Sequence, residues 1–367
     1  MADPSPRPLG ARRLGVCAAV VDGACVSGDV EVADGRVTRV GLPPSGSAVA
    51  VPGFVDLQVN GFGGVDLRTA SPDDLRRLSI ELAAHGAVAV QPTLCSTSID
   101  GYRTALAALD DARRGSLPGC RLLSAHLEGP FLSTDWAGAH DPATLLPFDE
   151  EVLDVLLAAG EVGMITYAPE LDGATELVAR CLGRGVVPSI GHTDATAAQT
   201  RDAIDHGARH LTHCWNAHRR FTPRDPGPAG AALIDPRCTV GLIADLVHVE
   251  RETVLMTLAA APDRVAVTTD AVAAAGRADA AWSGGAARRG DGTLAGGLAT
   301  PVDLLRNLVD IGCTLESAAV ACSTAARRLL GLEPATLRPG EVADLVVLDD
   351  TLAVRSTYVD GVDVLDG

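Results

Sequence analysis

The chain of 367 residues is 47% hydrophobic and carries a formal net charge of −17, with 47 acidic side chains against 30 basic ones. That apolar content fills the core of one large domain plus a smaller appendage, and the negative mean field disfavours nucleic acid and anionic membrane as partners. Every basic residue is arginine, which excludes a lysine Schiff base, a P-loop lysine and a carbamylated lysine bridging two metals.

The opening MADPSPRPLGARRLG is rich in proline and arginine and holds no apolar run of signal-peptide length. No later segment approaches a membrane span, so a cytoplasmic protein is expected. Up to about Val51, short alternating runs such as VSGDVEVADGRVTRVG suit antiparallel hairpins turning at Asp34 and Gly35. There follow eight Val/Ile/Leu-rich runs, beginning at Phe54, Ala87, Arg121, Gly163, Gly185, Ala208, Val240 and Arg264. They lack the alternation of a half-exposed sheet and read as parallel strands buried on both faces.

Helical patterns lie between them. The clearest is SPDDLRRLSIELAAHG, where Ser71 caps, Pro72 fits the first turn, Asp73 and Asp74 oppose the dipole and Gly86 terminates. TALAALDDARRG, TAAQTRDAIDHG and ERETVLMTLAAAP are of the same kind. The Gly/Arg-rich stretch from Gly284 to Gly292 reads as a mobile loop, and the closing ADLVVLDDTLAVRSTYVDG returns to the character of the N-terminal segment. The expected fold is α/β: a (β/α)8 TIM barrel over residues 52–330, with a small β-sandwich-like domain formed by both termini, residues 1–51 and 331–367. Nine scattered cysteines, odd in number and never in a CxxC pair, read as reduced core thiols.

Four strings close predicted strands: HLEGPFL from His126, GHTDAT from Gly191, THCWNAH from Thr212 and TTDA from Thr268. Glu128, His192 and His213 would thus project at the carboxyl-end mouth where barrel enzymes keep their sites. Two neutral imidazoles and a carboxylate suit one divalent metal ion, zinc first, with iron, manganese and cobalt as alternatives, and leave a position for water. Asp270 would face that water and exchange a proton with it. Asp56, on the first strand, competes for a similar position. By strand periodicity His126 shares the inward face of Glu128 and is assigned to support rather than ligation; His85, His206 and His210 read as structural.

Strung in order, PGFVDLQVNGFGG, QPTLCS, HLEGPFL, GAH, APE, GHTDAT, THCWNAH, RDPG, GLIADLVHV, TTDA, GTLAGG and GEVADLVVLDD make the chain resemble the N-acetylglucosamine-6-phosphate deacetylase family of the amidohydrolase superfamily. The resemblance implies Glu128, His192 and His213 as metal ligands, Asp270 as general base and acid, and His140 as the group that holds the amide oxygen. It implies phosphosugar contacts from Asn216, Ala217 and His248, and a homodimer in which Arg224 reaches the neighbouring active site. Gln58 and Asn60 stand where two-metal members have a His-x-His pair, so a single tightly held metal is expected. Two departures fall near the expected sugar pocket: His218, followed by Arg219, Arg220 and Phe221, replaces a methionine, and Gly297 replaces a serine. The implied reaction is hydrolysis of the acetamide of a phosphorylated amino sugar, N-acetylglucosamine 6-phosphate, to glucosamine 6-phosphate and acetate. A galactosamine analogue, a specialised metabolite, or a scaffold without catalysis are the alternatives.

Overall fold

The computed structural model describes residues 10–277 and 285–366. Eight parallel strands form the barrel: β1 (Phe54–Val59), β2 (Ala87–Cys95), β3 (Ala125–Glu128), β4 (Val162–Tyr167), β5 (Val187–Ile190), β6 (His210–Leu211), β7 (Thr239–Leu242) and β8 (Val265–Val267). Each pairs in parallel with the next. The seam between β8 and β1 is closed by side chains. The buried Asp56 carboxylate accepts from the Thr268 hydroxyl, from Thr269 Oγ1 at 2.6 Å and from Thr269 N at 3.1 Å, and a parallel bridge joins Val59 to Ala271.

A helix follows each strand, α1 (Pro72–Ala84), α2 (Ile99–Arg114), α3 (Glu150–Ala158), α4 (Ala174–Gly183), α5 (Ala197–His206), α6 (Gly227–Ile234), α7 (Arg251–Ala260) and α8 (Pro301–Asp310), and two shorter ones, α9 (Leu315–Ala321) and α10 (Thr324–Leu329), come after α8. At α1 the Ser71 side chain accepts from Asp74 N while the Asp74 carboxylate accepts from Ser71 N, a reciprocal capping box. Gly86 ends it at φ +88°, with the Phe54 ring where a side chain would sit. Among the described residues no helix is long and apolar enough to cross a membrane.

Two further sheets lie outside the barrel, one built from both termini and the other from N-terminal strands alone. In one, Ala48–Pro52 pairs in parallel with Val16–Val21 and antiparallel with Leu345–Leu348, so chain segments from the two ends are zipped together. In the other, Asp29–Ala33 and Arg36–Leu42 form the hairpin expected at Asp34 and Gly35, both at positive φ. Val16, Val30, Val37, Leu345 and Tyr358 pack between the sheets. The fully buried Asp344 ties this layer to the barrel. It accepts from Arg327 Nη2 at 2.5 Å, from the Arg121 guanidinium and from Asp360 N at 3.0 Å.

The structure alters two expectations. The stretch read as a loop from Gly284 to Gly292 is, from residue 285 onward, part of a hairpin in which Ala286–Arg288 pairs with Leu294–Gly297; Gly284 itself lies outside the described residues. Its turn is set by Asp291, whose carboxylate accepts from Thr293 N, and by Gly292 at φ +88°. The sixth strand ends at Leu211 rather than running on through His213, where the backbone turns to φ +29°.

Beneath the mouth, one layer of the barrel interior is polar. His126 Nδ1 donates to Leu57 O at 3.2 Å, and Nε2 accepts from the Thr166 hydroxyl at 2.7 Å. Thr212 then donates to Thr166 at 2.7 Å, Ser189 to Thr212 at 2.5 Å and His210 Nδ1 to Ser189 at 2.8 Å. Because a carbonyl only accepts, its bond to His126 sets every donor direction along the chain. Burial keeps both rings neutral, pushing His126 down to about 4 and His210 to about 3. This belt joins five strands or their ends one layer below the mouth; His126 faces inward, as the periodicity predicts, and its nitrogens are engaged by Leu57 O and Thr166.

Candidate active site

Glu128 closes β3, beside Cys95 at the end of β2 in the strand register. His192 lies two residues beyond β5 and His213 two beyond β6. His192, His213 and Asp270 adopt positive φ of 47°, 29° and 48°, a conformation that is costly for residues with a side chain and that collects at functional sites. These kinks swing side chains from different strands toward one point. His213 Nε2 is 2.9 Å and His192 Nε2 is 3.2 Å from Glu128 Oε1, and the two nitrogens are 3.2 Å apart. Ligands at about 2.0–2.1 Å around a tetrahedral cation stand roughly 3.3 Å from one another.

The proton positions favour a cation at this point. His192 Nδ1 donates to Trp136 O at 2.8 Å, which leaves the Nε2 lone pair facing the Glu128 carboxylate. Burial opposes ionisation of Glu128, but the polar groups around it, the Nε2–H of His140 first among them, outweigh it and hold the carboxyl well below its ordinary range. An imidazole lone pair and an anionic oxygen 3.2 Å apart repel, and a divalent ion between them turns that repulsion into coordination. The donor set therefore fits a metal such as zinc.

His140 is buried beside these residues, its ring centroid 4.5 Å from that of His192. Its Nδ1 accepts from Ser96 N at 3.2 Å, so the ring carries its proton on Nε2, 3.5 Å from Glu128 Oε2. Cys95, Glu128 and His140 also cluster closely enough to suggest a second metal, but an Nε2–H is a donor and has no lone pair for a cation. The set fits one metal.

Asp270 lies three residues beyond β8. Burial, then the charge of Glu128, push its carboxyl up to about 6, against the pull of His213, His248 and Asn60. Gln58 Nε2 donates to Glu128 Oε1 at 2.8 Å and Asn60 Nδ2 to Asp270 Oδ1 at 2.7 Å. The two amides at the His-x-His positions thus hold carboxylates. Asp56 is removed from contention because its oxygens are committed to the barrel seam.

One cavity of about 1140 Å³ is lined by Glu128, His140, His192, His213 and Asp270, together with Asn216, Ala217 and His248. His248 Nδ1 lies 2.6 Å from Asp245 Oδ2, and its buried Nε2 has no hydrogen-bond partner among the described residues. His218, which the sequence reading also counts among the sugar-contacting residues, lines the cavity; its Nδ1 donates to Arg219 O at 3.0 Å and its Nε2 accepts from Trp215 N at 2.7 Å, so both nitrogens brace the loop. Arg219 is likewise spent on Asp194 and Asp225. Arg224 is exposed on the β6–α6 loop and does not line this cavity.

Arg220, in the segment expected near the sugar, lines the cavity, as does Arg289, which the sequence did not single out; Arg289 Nη1 donates to Ala139 O at 3.0 Å beside His140. Only the hairpin after β8 brings Arg289 there. Gly297 is explained by packing, since a Cβ on it would meet Thr269 O at 2.1 Å.

A strand-end metal triangle with an adjacent acid defines a metal-dependent hydrolase, and residues 49–364 match the amidohydrolase family, to which the chain belongs. Within it, the chain is 34% identical over 341 residues to the N-acetylglucosamine-6-phosphate deacetylase of Bos taurus, covering 86% of this chain and 83% of that one. It is 30% identical over 351 residues to the N-acetylgalactosamine-6-phosphate deacetylase of Escherichia coli O157:H7, covering 90% and 93%. The solved structure of a Mycobacterium smegmatis N-acetyl-D-glucosamine-6-phosphate deacetylase variant in complex with N-acetyl-D-glucosamine-6-phosphate superposes with a TM-score of 0.91 at 35% identity, covering 96% of this chain and 99% of that one.

Proposed function

We propose that the protein hydrolyses the acetamide of N-acetylglucosamine 6-phosphate to glucosamine 6-phosphate and acetate. The observation that carries this is the convergence of Glu128 Oε1, His192 Nε2 and His213 Nε2 within 3.2 Å of one another, in one cavity with Asp270 and His140. A divalent cation held by these three groups, zinc first and otherwise iron, manganese or cobalt, would lower the pKa of water toward neutrality.

The chain's own residues supply the rest. Asp270 takes the proton of the attacking water and then delivers it to the departing nitrogen. The Nε2–H of His140 donates to the carbonyl oxygen as it gains charge, a service removed at a cost of about 10²–10³ in kcat in comparable sites. Asn216, the Ala217 backbone and His248 Nε2 present polar groups to the sugar. Arg224, exposed and directed at nothing in its own cavity, is suited to reach the phosphate of a neighbouring subunit in a homodimer, since a forked cation matches a phosphate dianion. The same reading places the protein in the cytoplasm and divides it into a catalytic barrel, 52–330, and a supporting domain, 1–51 with 331–367.

A second reading changes only the sugar. The relative named N-acetylgalactosamine-6-phosphate deacetylase, 93% of which is covered, favours testing the C4 epimer. Acetate release from both phosphates and from their unphosphorylated sugars, with metal analysis of the same sample, decides. Asp270→Asn should keep metal and fold and lose nearly all turnover; near-normal kcat in that variant would remove Asp270 from the reaction.

A further inference from the structure

Around Asp270 runs a chain of contacts made by two residues of the cavity wall, Asn60 and Cys95. Asp270 Oδ1 accepts from Asn60 Nδ2 at 2.7 Å, and Asn60 Oδ1 lies 3.1 Å from the Cys95 thiol. The polarity of this chain is fixed from its anionic end. A carboxylate only accepts, so the NH2 of Asn60 must face Asp270 and its carbonyl must face Cys95, where the S–H is the donor. The flipped amide would set two acceptors against each other at 2.7 Å.

The backbone is held separately. Asn60 N donates to Ala271 O at 2.7 Å, so the chain ends of β1 and β8 are already docked and the orientation of the Asn60 amide is what remains to be set. The thiol sets it. Its other acceptor, Glu128 Oε2, is farther away at 3.5 Å. Asp270 Oδ2 accepts no hydrogen bond among the described residues.

We propose that Cys95 and Asn60 are positioning residues for Asp270: the thiol orients the amide, the amide holds Oδ1 and the plane of the carboxylate, and Oδ2 is thereby kept as the oxygen that takes and returns the proton. This rests on Asp270 being the base and acid of the proposed reaction. A carboxylate free to rotate samples geometries in which proton transfer is slow, and orienting groups of this sort change rates by about 10–100-fold.

The test is steady-state hydrolysis of N-acetylglucosamine 6-phosphate by the metal-loaded full chain and its variants Cys95→Ala, Cys95→Ser, Asn60→Ala, the Cys95→Ala/Asn60→Ala double variant and Asp270→Asn. Cys95→Ala should lower kcat by about 10-fold with KM and metal content unchanged, and Cys95→Ser, which keeps a donor, should restore most of it. In the Asn60→Ala background Cys95→Ala should cost nothing more, because a relay already cut cannot be cut again. A Cys95→Ala kcat within about twofold of wild type, or full additivity in the double variant, overturns the inference. If Asn60→Ala does not fold, the Cys95→Ala and Cys95→Ser pair decides by itself. Undiminished turnover in Asp270→Asn defeats the functional reading instead, whereas an inactive Asp270→Asn beside indifferent Cys95 variants defeats only the relay.

Discussion

His140 and His192 stand edge to face with their ring centroids 4.5 Å apart, yet they carry their protons on opposite nitrogens. The difference comes from backbone partners: Ser96 N–H donates to Nδ1 of His140, whereas the Trp136 carbonyl accepts from Nδ1 of His192. One ring is left offering a proton to the cavity and the other a lone pair. The two histidines should therefore fail differently. His192→Ala should lose metal and activity together, while His140→Ala should keep metal and lose about 10²–10³ in kcat. Metal analysis of both purified variants beside their kinetics separates the roles; metal loss in His140→Ala would contradict the assignment.

The junction between barrel and terminal sheets should be acid-sensitive through Asp344. Burial opposes its charge, but Arg121 and Arg327, with the Asp360 amide, outweigh this and lower its pKa below 3.8 in the folded protein. A depressed carboxylate stabilises the fold above its unfolded pKa, and that contribution is lost as pH falls through the folded value. Asp344→Asn should cost roughly 3–5 kcal/mol near neutrality, since two arginines lose their buried partner. The gap between wild type and variant should be flat above about pH 5 and narrow below about pH 4. Denaturant titrations across that range read it directly, and a gap that widens in acid would reverse the sign.

Cutting the polar belt at its middle leaves unpaired groups on both sides. Thr166→Val removes the hydroxyl that donates to His126 and accepts from Thr212, and an unsatisfied buried group costs about 1–3 kcal/mol. Thr166→Ser keeps the hydroxyl and should cost only about 1 kcal/mol for the lost methyl. Equal losses in the two variants, measured by urea unfolding, would show that packing rather than hydrogen bonding matters there.

Gly297 is required by backbone proximity. Its N–H donates to Asp270 O at 2.8 Å, and an added Cβ would fall 2.1 Å from Thr269 O. Gly297→Ala must push the hairpin from the segment that carries Asp270, at a cost of about 1–3 kcal/mol and with a fall in kcat. Unchanged stability and turnover would mean that the hairpin shifts freely.

The sequence by itself determined the eight strand–helix units, because runs apolar on both faces fit only a buried parallel sheet and because caps such as Ser71 and Gly86 act locally. It also marked Glu128, His192, His213 and Asp270, since each lies at or just beyond a strand end and the barrel gathers those ends at one mouth. The tertiary structure alone decided what these side chains meet. Nothing in the chain near His218 announces that both its nitrogens are consumed by backbone, nor does spacing place Arg289 against Ala139, 150 residues away. Asp56 and Asp270 are both aspartates at barrel strands, yet one closes the seam and the other faces the cavity. Hydrogen bonds and proton positions depend on distances of a few tenths of an ångström between segments far apart in sequence, and only the closed barrel fixes those distances.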